Sequence, residues 1–273
     1  MTCSICQSPS VFLFKKLVLG KHQVSYYHCP TCGFIQTETP YWLEEAYSKA
    51  LSSMDVGIVR RNLDMVAPVS SLLNHLFAKG GCFLDYAGGT GMFTRLMRDK
   101  GFDFYHEDMY CENVFARYFG KEDAPAGQRF DLLTAFEVFE HLPDPMKEIS
   151  GMFAFSDTVF FSTELSPEEP VHWWYLTPET GQHIAFYSTQ TLKYVASKLG
   201  CHFYSNGRNL HLFSRKKMFD TEEAFRKVIQ PPSGWKELYN KISSKLGISG
   251  VVQRKSLTQD DFDAIRQRLA KKN

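Results

Sequence analysis

The sequence predicts an α/β fold: a doubly wound, mostly parallel sheet of seven strands that ends in an antiparallel hairpin and follows a small cysteine-bearing ribbon. Three observations predict it. Two Cys-x-x-Cys pairs fall within residues 1–39. From residue 80 onward, apolar runs of strand length alternate with helical patterns, as in parallel sheets with crossover helices. The alternation ends in two apolar runs joined through Asn206-Gly207, a pair typical of hairpin turns.

The composition is that of a folded globular protein, and it excludes several classes of function. Hydrophobic residues make up 44% of the chain and charged residues 22%, and no apolar run reaches the roughly 18 residues that span a bilayer. A net charge of +1 provides no overall field for a polyanion, so nucleic acid is not the expected partner. No secretory signal precedes Cys3, which predicts a cytoplasmic protein without membrane contact.

The ribbon, residues 1–39, carries the pairs Cys3/Cys6 and Cys29/Cys32, separated by 22 residues. This spacing is typical of two knuckles that hold one tetrahedral zinc ion. Four thiolates close the coordination shell, which predicts a structural zinc with no open position for catalysis. A redox dithiol is the alternative. The intervening segment predicts two strands with a turn near Gly20, and His22 and His28 there are expected to be structural.

A helical connection is predicted at residues 40–79, with one helix in 41–51 and a longer one from Ile58 to Phe77 that Pro68 interrupts. In the α/β domain, residues 80–216, strands are predicted at CFLDYA, FDFYHED, FDLLTAF and DTVFFST. Helices are predicted at FTRLMRDK, at ENVFARYF and after Pro143.

The end of the chain is predicted to be helical. A helix from Thr189 to Leu199 precedes the hairpin of CHFYS and LHLFS. The extension at residues 217–273 is expected to hold further helices, with Thr258, three residues before Asp261, as the N-cap of a surface helix.

The segment FLDYAGGTG, residues 83–91, places an acid and a run of small residues between a buried strand and a helix. A bare turn there lets a ligand lie against backbone N–H groups at the positive end of the helix. Asp85 can face an ammonium group of that ligand, whereas it would repel a pyrophosphate. Asp108 ends the second strand, where a carboxylate accepts hydrogen bonds from two ribose hydroxyls. Glu107 is its neighbouring alternative, and capping of the strand ends is the other interpretation of Asp85 and Asp108.

FLDYAGGTG resembles the motif of class I S-adenosylmethionine-dependent methyltransferases, and FDLLTAFEVFEHLPDP resembles their fourth strand with the E-x-x-E-H-L that follows. The resemblance covers roughly residues 80–215. It implies S-adenosylmethionine as the cofactor, with Asp85 near its methionine part and Asp108 on its ribose. It also implies that the turn residues contact this cofactor, namely Ala87, Gly88, Gly89 and Gly91. Ala87 replaces the family's first glycine, so its backbone φ is expected to be negative.

Further residues are expected around the same crevice. Phe136 and Glu137 leave the fourth strand at the carboxyl edge of the sheet and are expected to line the cofactor site. Asp123 is the candidate contact to adenine, and His141 is expected to fix the following turn.

The segment after the fifth strand is dense in aromatic residues and predicts the acceptor site. Trp173, Trp174 and Tyr175 form either an aromatic wall for the acceptor or an anchor to the core, and only one of the two tryptophans is expected to face the cavity. QHIAFYS, residues 182–188, resembles a segment of bacterial deoxysugar C-methyltransferases, which also carry a four-Cys module.

That resemblance nominates His183 as the catalytic base, with His172 as the second choice and Gln182 in place of the family's Glu at the acceptor site. A core position is the other interpretation of His183. The larger C-terminal domain of those sugar enzymes has no counterpart before Asn273.

Together these features predict methyl transfer to a small, carbohydrate-like acceptor or glycan, with the acceptor atom and the oligomeric state left open. An RNA base methyltransferase is one alternative, although Lys and Arg form no basic stripe in residues 1–60. A non-catalytic S-adenosylmethionine-binding module is another. A nicotinamide dehydrogenase is disfavoured by Asp85 and by the expected closing hairpin.

Overall fold

The computed structural model describes residues 1–48, 56–230 and 254–270. Its strands are β1 (Val11–Val18), β2 (His22–His28), β3 (Ile35–Thr37), β4 (Cys82–Tyr86), β5 (Asp103–Glu107), β6 (Leu132–Ala135), β7 (Thr158–Ser162), β8 (Ala185–Phe186), β9 (His202–Ser205) and β10 (Leu210–Ser214). Its α-helices are α1 (Leu43–Ala46), α2 (Ile58–Leu76), α3 (Met92–Asp99), α4 (Pro145–Met152), α5 (Thr189–Leu199), α6 (Glu222–Ile229) and α7 (Thr258–Ala270). The predictions for residues 49–55, 231–253 and 271–273 lie outside the described residues.

The main sheet has six strands in the order β5-β4-β6-β7-β10-β9. The strands β5, β4, β6 and β7 are parallel to one another, whereas β10 pairs antiparallel with both β7 and β9. The prediction of a mostly parallel sheet with a closing antiparallel hairpin is confirmed. Because the carboxyl ends of the parallel strands meet at one edge, the segments that follow β4, β5 and β6 lie beside one another.

The six strands found among the described residues are one fewer than the predicted seven, so the count fits approximately. Beyond β5, the position of a further strand holds only an isolated parallel bridge between His106 and Gly120. The carboxylate of Asp123 accepts a hydrogen bond from the N–H of Gly120, and a 3₁₀ turn begins at Lys121. This local bonding turns the chain away before a ladder can extend, so β5 remains the edge strand.

A second, antiparallel sheet in the order β1-β2-β3-β8 contains the N-terminal segment. The predicted pair of strands and its turn are confirmed, since Leu19 and Gly20 have positive φ values of 52° and 70°, which suit a tight hairpin. The fourth strand, β8, comes from the later part of the chain and pairs Phe186 with Ile35. The sheet of the N-terminal segment is therefore completed by residues adjoining the predicted acceptor site.

Two helix predictions need correction. ENVFARYF is irregular, because the N–H groups of Val114 and Phe115 donate to the carbonyl of Thr90 and the Asn113 side chain bonds to the backbone of Ala116. Those bonds replace the i to i−4 ladder of a helix and place this segment over the glycine turn. The helix α2 is also not interrupted at Pro68, which is buried inside it.

The hydrophobic core has one cluster on each face of the main sheet. One face packs Phe83, Phe104 and Leu132 against Leu72 of α2 and Met97 of α3. The other face includes Phe139, stacked on Phe161 at a centroid distance of 3.9 Å, and continues without a break to Cys3, Phe34 and Trp42. The N-terminal segment therefore shares a core with the α/β domain. Within the part of the chain that the structure describes, no helix combines the length and apolarity needed to cross a membrane.

The C-terminal helix α7 is fixed to α3 by a buried ion-pair network. Asp261 accepts hydrogen bonds from Arg98 at 2.9 and 2.7 Å, and Arg95 approaches it at 2.8 Å. Thr258 is the first helical residue, and its hydroxyl donates to Asp99 at 2.9 Å. Thr258 therefore binds α3 rather than capping its own helix, which corrects the predicted N-cap.

Candidate active site

The glycine turn connects β4 to α3 at the carboxyl edge of the main sheet. A side chain at Gly88 would collide with the carboxylate of Asp85, and Gly91 enters the helix with a φ of 79°. A side chain at Gly89 would instead project into open space. The missing side chain at Gly88 therefore makes room for Asp85 of the strand below. The missing side chain at Gly89 leaves the backbone open on the side from which a ligand can approach.

Ala87 does not have the negative φ that was expected. Its φ is 53°, in the left-handed region that disfavours residues with a Cβ. The turn therefore keeps the backbone shape of a glycine at this position, and the chain accepts the strain.

Asp85 lies beneath the turn and is 2% exposed. Its two carboxylate oxygens accept hydrogen bonds from Thr94 on α3 and Thr134 on β6, each at 3.0 Å. Burial raises the pKa of Asp85 to about 6, against the opposing effects of His106 and the two threonines. Asp85 therefore holds β4, β6 and α3 together directly under the glycine turn.

Asp108 contacts the glycine turn. The sequence pattern predicted that these two features belong to one site. One of its oxygens accepts from the N–H of Gly89 at 2.9 Å, and the other accepts from Tyr110 and Cys111, each at 2.7 Å. Glu107 instead pairs with Lys121. A cavity of about 390 Å³ opens here, lined by His106, Glu107, Asp108, Cys111, Asn113, Gly120, Lys121 and Glu122.

This cavity fits the polar part of a nucleoside. Asp108 supplies carboxylate oxygens next to the open side of Gly89, so the residues present fit a ribose beside a bare backbone. Asp123 is absent from the lining and instead forms an ion pair with Arg268 of α7 at 2.6 Å.

Phe136 and Glu137 follow β6 directly, at the carboxyl edge. The ring of Phe136 packs edge-on against Phe93 of α3, 5.2 Å between centroids, and so supports the glycine turn from below. Glu137 has a positive φ of 55°, and its carboxylate accepts from Ser162 at 2.9 Å and approaches Arg61 at 3.6 Å.

A cluster of three titratable side chains forms where Glu140 and His141, shortly after β6, meet His183 of the later segment. One potential ligand atom from each lies within 4.8 Å of the others. Glu140 is completely buried, next to the hydroxyl of Tyr175. Burial raises the pKa of Glu140 well above its usual value and lowers the pKa of His141 to about 4 and that of His183 to about 3. Both imidazoles are therefore neutral near pH 7.

The backbone sets the orientation of both imidazoles. Nδ1 of His183 lies 2.7 Å from the carbonyl oxygen of Tyr175, and Nδ1 of His141 lies 3.0 Å from that of Gln182. A carbonyl can only accept, so each Nδ1 carries the proton and each Nε2 keeps a lone pair. His141 also contacts the hydroxyl of Tyr47 at 2.9 Å. Glu140 was not among the predicted site residues, although the quoted E-x-x-E-H pattern contains it.

The aromatic segment divides between core and surface. Trp173 packs against Tyr175 and Phe186, whereas Trp174 is 66% exposed. Tyr175 is buried beside Glu140, and the centroid of its ring lies 4.6 Å from that of His183; burial and the neighbouring carboxylate raise the pKa of its hydroxyl well above the usual value.

The other two predicted acceptor-site residues lie apart from one another. His172 is exposed on a 3₁₀ turn, outside the cluster of Glu140, His141 and His183. Gln182 donates to the carbonyl of Ala46 at 3.0 Å and so connects this segment to α1.

The four predicted zinc ligands form a second convergent group. The sulfur atoms of Cys3, Cys6, Cys29 and Cys32 all lie within 4.8 Å of one another. The closest pairs, Cys3 with Cys32 and Cys6 with Cys29, are 3.6 and 3.3 Å apart. Sulfurs bound to one tetrahedral zinc at about 2.3 Å are about 3.8 Å apart, so the donor set fits this ion.

The two cysteine loops have matching backbones. The residues that follow each pair, Gln7 and Gly33, have positive φ values of 61° and 74°, and their N–H groups donate to the carbonyls of Cys3 and Cys29. The same tight turn thus presents each pair of sulfurs. This geometry supports a metal-binding ribbon more than a redox dithiol.

Comparisons with known proteins bear on the α/β domain. Residues 60–206 match the model of a family described as a methyltransferase domain. No curated protein matches the chain. Among solved structures, the chain is similar to an O-methyltransferase family protein from Burkholderia thailandensis, at 17% identity and a TM-score of 0.46 over 59% of this chain and 58% of that one.

Two further structures are similar to the chain. One is a 1,6-didemethyltoxoflavin-N1-methyltransferase from Burkholderia thailandensis, at 15% identity and a TM-score of 0.48 over 75% of this chain and 100% of that one. The other is CalO1, a methyltransferase in calicheamicin biosynthesis, at 13% identity and a TM-score of 0.37. The match covers 54% of this chain and 54% of CalO1, about half the length of each.

The family match spans more than half of the chain and includes the glycine turn, Asp108 and the cluster of Glu140, His141 and His183. The chain therefore belongs to the family described as a methyltransferase domain, and the prediction of a methyltransferase is confirmed at the level of the family.

Proposed function

We propose that the protein transfers a methyl group from S-adenosylmethionine to a small, carbohydrate-like acceptor. One observation carries the choice of a polar acceptor: the buried polar side chains of Glu140 and Tyr175 lie beside the neutral His183. An acceptor rich in hydroxyl groups can form hydrogen bonds to polar side chains of this kind, which an apolar acceptor cannot.

The donor is held on the turn side of the site in this proposal. Gly89 admits close approach to the backbone, Asp108 receives the ribose hydroxyls, and Asp85 braces the turn from below. The neighbouring positions Ala87, Gly88, Gly91, Phe136 and Glu137 shape the same crevice. When bound, S-adenosylmethionine supplies a methyl group on a positively charged sulfur, which is already activated for attack by a nucleophile.

The acceptor is held on the side that follows β6. His183 offers its Nε2 lone pair to an acceptor hydroxyl, because its Nδ1–H is committed to the carbonyl of Tyr175. Burial keeps this imidazole neutral near pH 7, so the lone pair can accept a hydrogen bond from that hydroxyl. The exposed ring of Trp174 stands nearby along the chain, where it can cover one face of a sugar.

A labelled-methyl assay tests this proposal. Zinc-loaded protein is incubated with radiolabelled S-adenosylmethionine and fractions of sugars, nucleotide sugars, glycans and RNA. We expect label in a carbohydrate fraction, and we expect His183→Ala to lower turnover at least 100-fold while the dissociation constant for S-adenosylmethionine changes less than about threefold. His202→Gln, an exposed histidine on β9, is the matched control. Label in RNA alone would refute the choice of acceptor.

We also propose that the ribbon binds one structural zinc through Cys3, Cys6, Cys29 and Cys32. The matching knuckle turns and the proximity of the four sulfurs support this assignment. The metal would tie the two ends of the hairpin β1–β2 to a single point and so hold the second sheet in place.

A further inference from the structure

The cluster of Glu140, His141 and His183 has the composition of a metal site that differs from the cysteine ribbon. We propose that these three side chains bind a divalent transition-metal ion, and that this ion holds an oxygen of the methyl acceptor. The proposal deepens the proposed function and rests on it for the role of the metal, but the metal site itself can be tested without any acceptor.

The ligand set is one carboxylate and two imidazoles, with one atom from each within 4.8 Å of the others. Ions such as Mn²⁺, Fe²⁺ and Zn²⁺ accept this mixture of oxygen and nitrogen donors and retain open positions for a further ligand. Atoms bound at about 2.1 Å in adjacent positions are about 3 Å apart, so small side-chain rotations would complete the site. Thiolates in the ribbon favour softer ions, which keeps the two sites chemically distinct.

The burial of Glu140 gives an independent argument that this side chain binds a cation. The side chain is fully buried, and the Tyr175 hydroxyl beside it is a neutral hydrogen-bonding partner rather than a charged one. A carboxylate removed from water requires a partner of opposite charge or several donors. Arg61 is near enough to act on Glu140 electrostatically, but its guanidinium also approaches Glu137 at 3.6 Å. A divalent ion would satisfy both carboxylate oxygens at once.

The two histidines are oriented as metal ligands commonly are. Each donates its Nδ1–H to a backbone carbonyl, that of Tyr175 for His183 and that of Gln182 for His141. Such a hydrogen bond fixes the tautomer and the ring plane and leaves Nε2 free to coordinate. The hydroxyl of Tyr47 adds a further contact to His141. The outer partners of the site are therefore already in place.

A metal in this position gives His183 a different task from that of a general base. An acceptor hydroxyl bound to the ion would lose its proton to water more easily, because the cation stabilises the alkoxide. His183 would then act as a ligand that positions the ion.

Manganese binding to the zinc-loaded full-length protein tests the site directly. Binding removes Mn²⁺ from the free pool, which electron paramagnetic resonance measures. We expect one Mn²⁺ per chain in addition to the ribbon zinc, and at least tenfold weaker binding in Glu140→Gln and in His183→Ala. His202→Gln and Glu168→Gln, both at exposed positions, are the controls and should bind as the unmodified protein does.

Two outcomes would overturn the metal site: no Mn²⁺, Co²⁺ or Zn²⁺ bound beyond the ribbon metal, or unchanged binding in both variants. If either variant fails to fold, His141→Gln and metal counting on the unmodified protein by mass spectrometry replace it. Methylation that continues at full rate after chelation, with the ribbon zinc retained, would overturn the metal while leaving the proposed function intact. Metal bound at the cluster without methylation of any carbohydrate would refute the proposed acceptor and not the site.

Discussion

Ala87 shows how a single residue can depart from a motif while the backbone keeps the motif's shape. A φ of 53° is tolerated by alanine only at a cost of about 1–2 kcal/mol, which glycine does not bear. Ala87→Gly should therefore raise the free energy of unfolding by up to about 1 kcal/mol, after the loss of a partly buried methyl group and the added freedom of the unfolded chain. Urea denaturation measures the change.

The matched control for this prediction is Ala124→Gly. Ala124 has a φ of −66°, where alanine is unstrained, so this change should lower the stability. Equal destabilisation by the two substitutions would contradict a strained Ala87.

The ionisation of Asp85 makes the free energy of unfolding depend on pH. Its pKa in the folded protein is about 6, above the 3.8 of an unperturbed aspartate, so the folded state binds the proton more tightly than the unfolded state. The stabilisation that protonation contributes is fully present below about pH 4 and is lost as the pH rises through about 6. Relative to Asp85→Asn, the native protein should lose roughly 1–3 kcal/mol of stability between pH 4 and pH 7.

Urea unfolding of the cofactor-free, zinc-loaded protein at a series of pH values checks this coupling. Parallel stability curves for the native protein and the asparagine variant would show that Asp85 titrates alike in both states, against the prediction.

At the scale of elements, α7 is attached to α3 by charge more than by apolar contact. Asp261 is buried, whereas most of its helix is exposed, and it neutralises Arg98 and Arg95 together. Removing one partner of a buried ion pair leaves an uncompensated charge, so Asp261→Asn should cost about 3–5 kcal/mol. Thermal unfolding measures the loss, and Asp263→Asn, on the exposed side of α7, should change stability by less than about 0.5 kcal/mol.

Other attachments between elements concern the acceptor side of the site. Thr191 donates to the carbonyl of Cys32, and Trp42 donates to that of Gly181. Together with β8, these bonds hold the segment that contains His183 between the ribbon and the main sheet. The ribbon thus forms one wall of the proposed acceptor site instead of a detached module.

At the scale of the whole molecule, the shared core predicts that the ribbon and the α/β domain unfold together. Removal of the ribbon metal should lower the midpoint of the single thermal transition for the complete chain, because the cysteine cluster is continuous with the core around Phe139. Calorimetry before and after chelation measures the shift, and Cys6→Ser should reproduce it. A low-temperature transition of the ribbon alone, with the main transition unmoved, would contradict the shared core.

Local sequence was sufficient for the features that depend on local chemistry. The spacing of the cysteines, the turn at Gly20, the helix end at Gly200 and the alternation of strands were all predictable, because each reflects a periodicity or a conformational preference within a few residues. The meeting of Asp108 with the glycine turn was also predictable, since parallel strands end at one edge.

Only the tertiary structure decided which distant groups meet. The backbone bonds of residues 113–116 to the turn and to one another overrode a helical pattern, and the capping of Gly120 by Asp123 removed a strand. The union of Glu140 and His141 with His183 joins segments about forty residues apart, and no local pattern encodes it. The sequence by itself determined the class of fold and placed Asp108 beside the glycine turn on the proposed donor side. The acceptor side depends on long-range packing, because the side chains that compose it have no contact until the ribbon, the main sheet and the aromatic segment have come together.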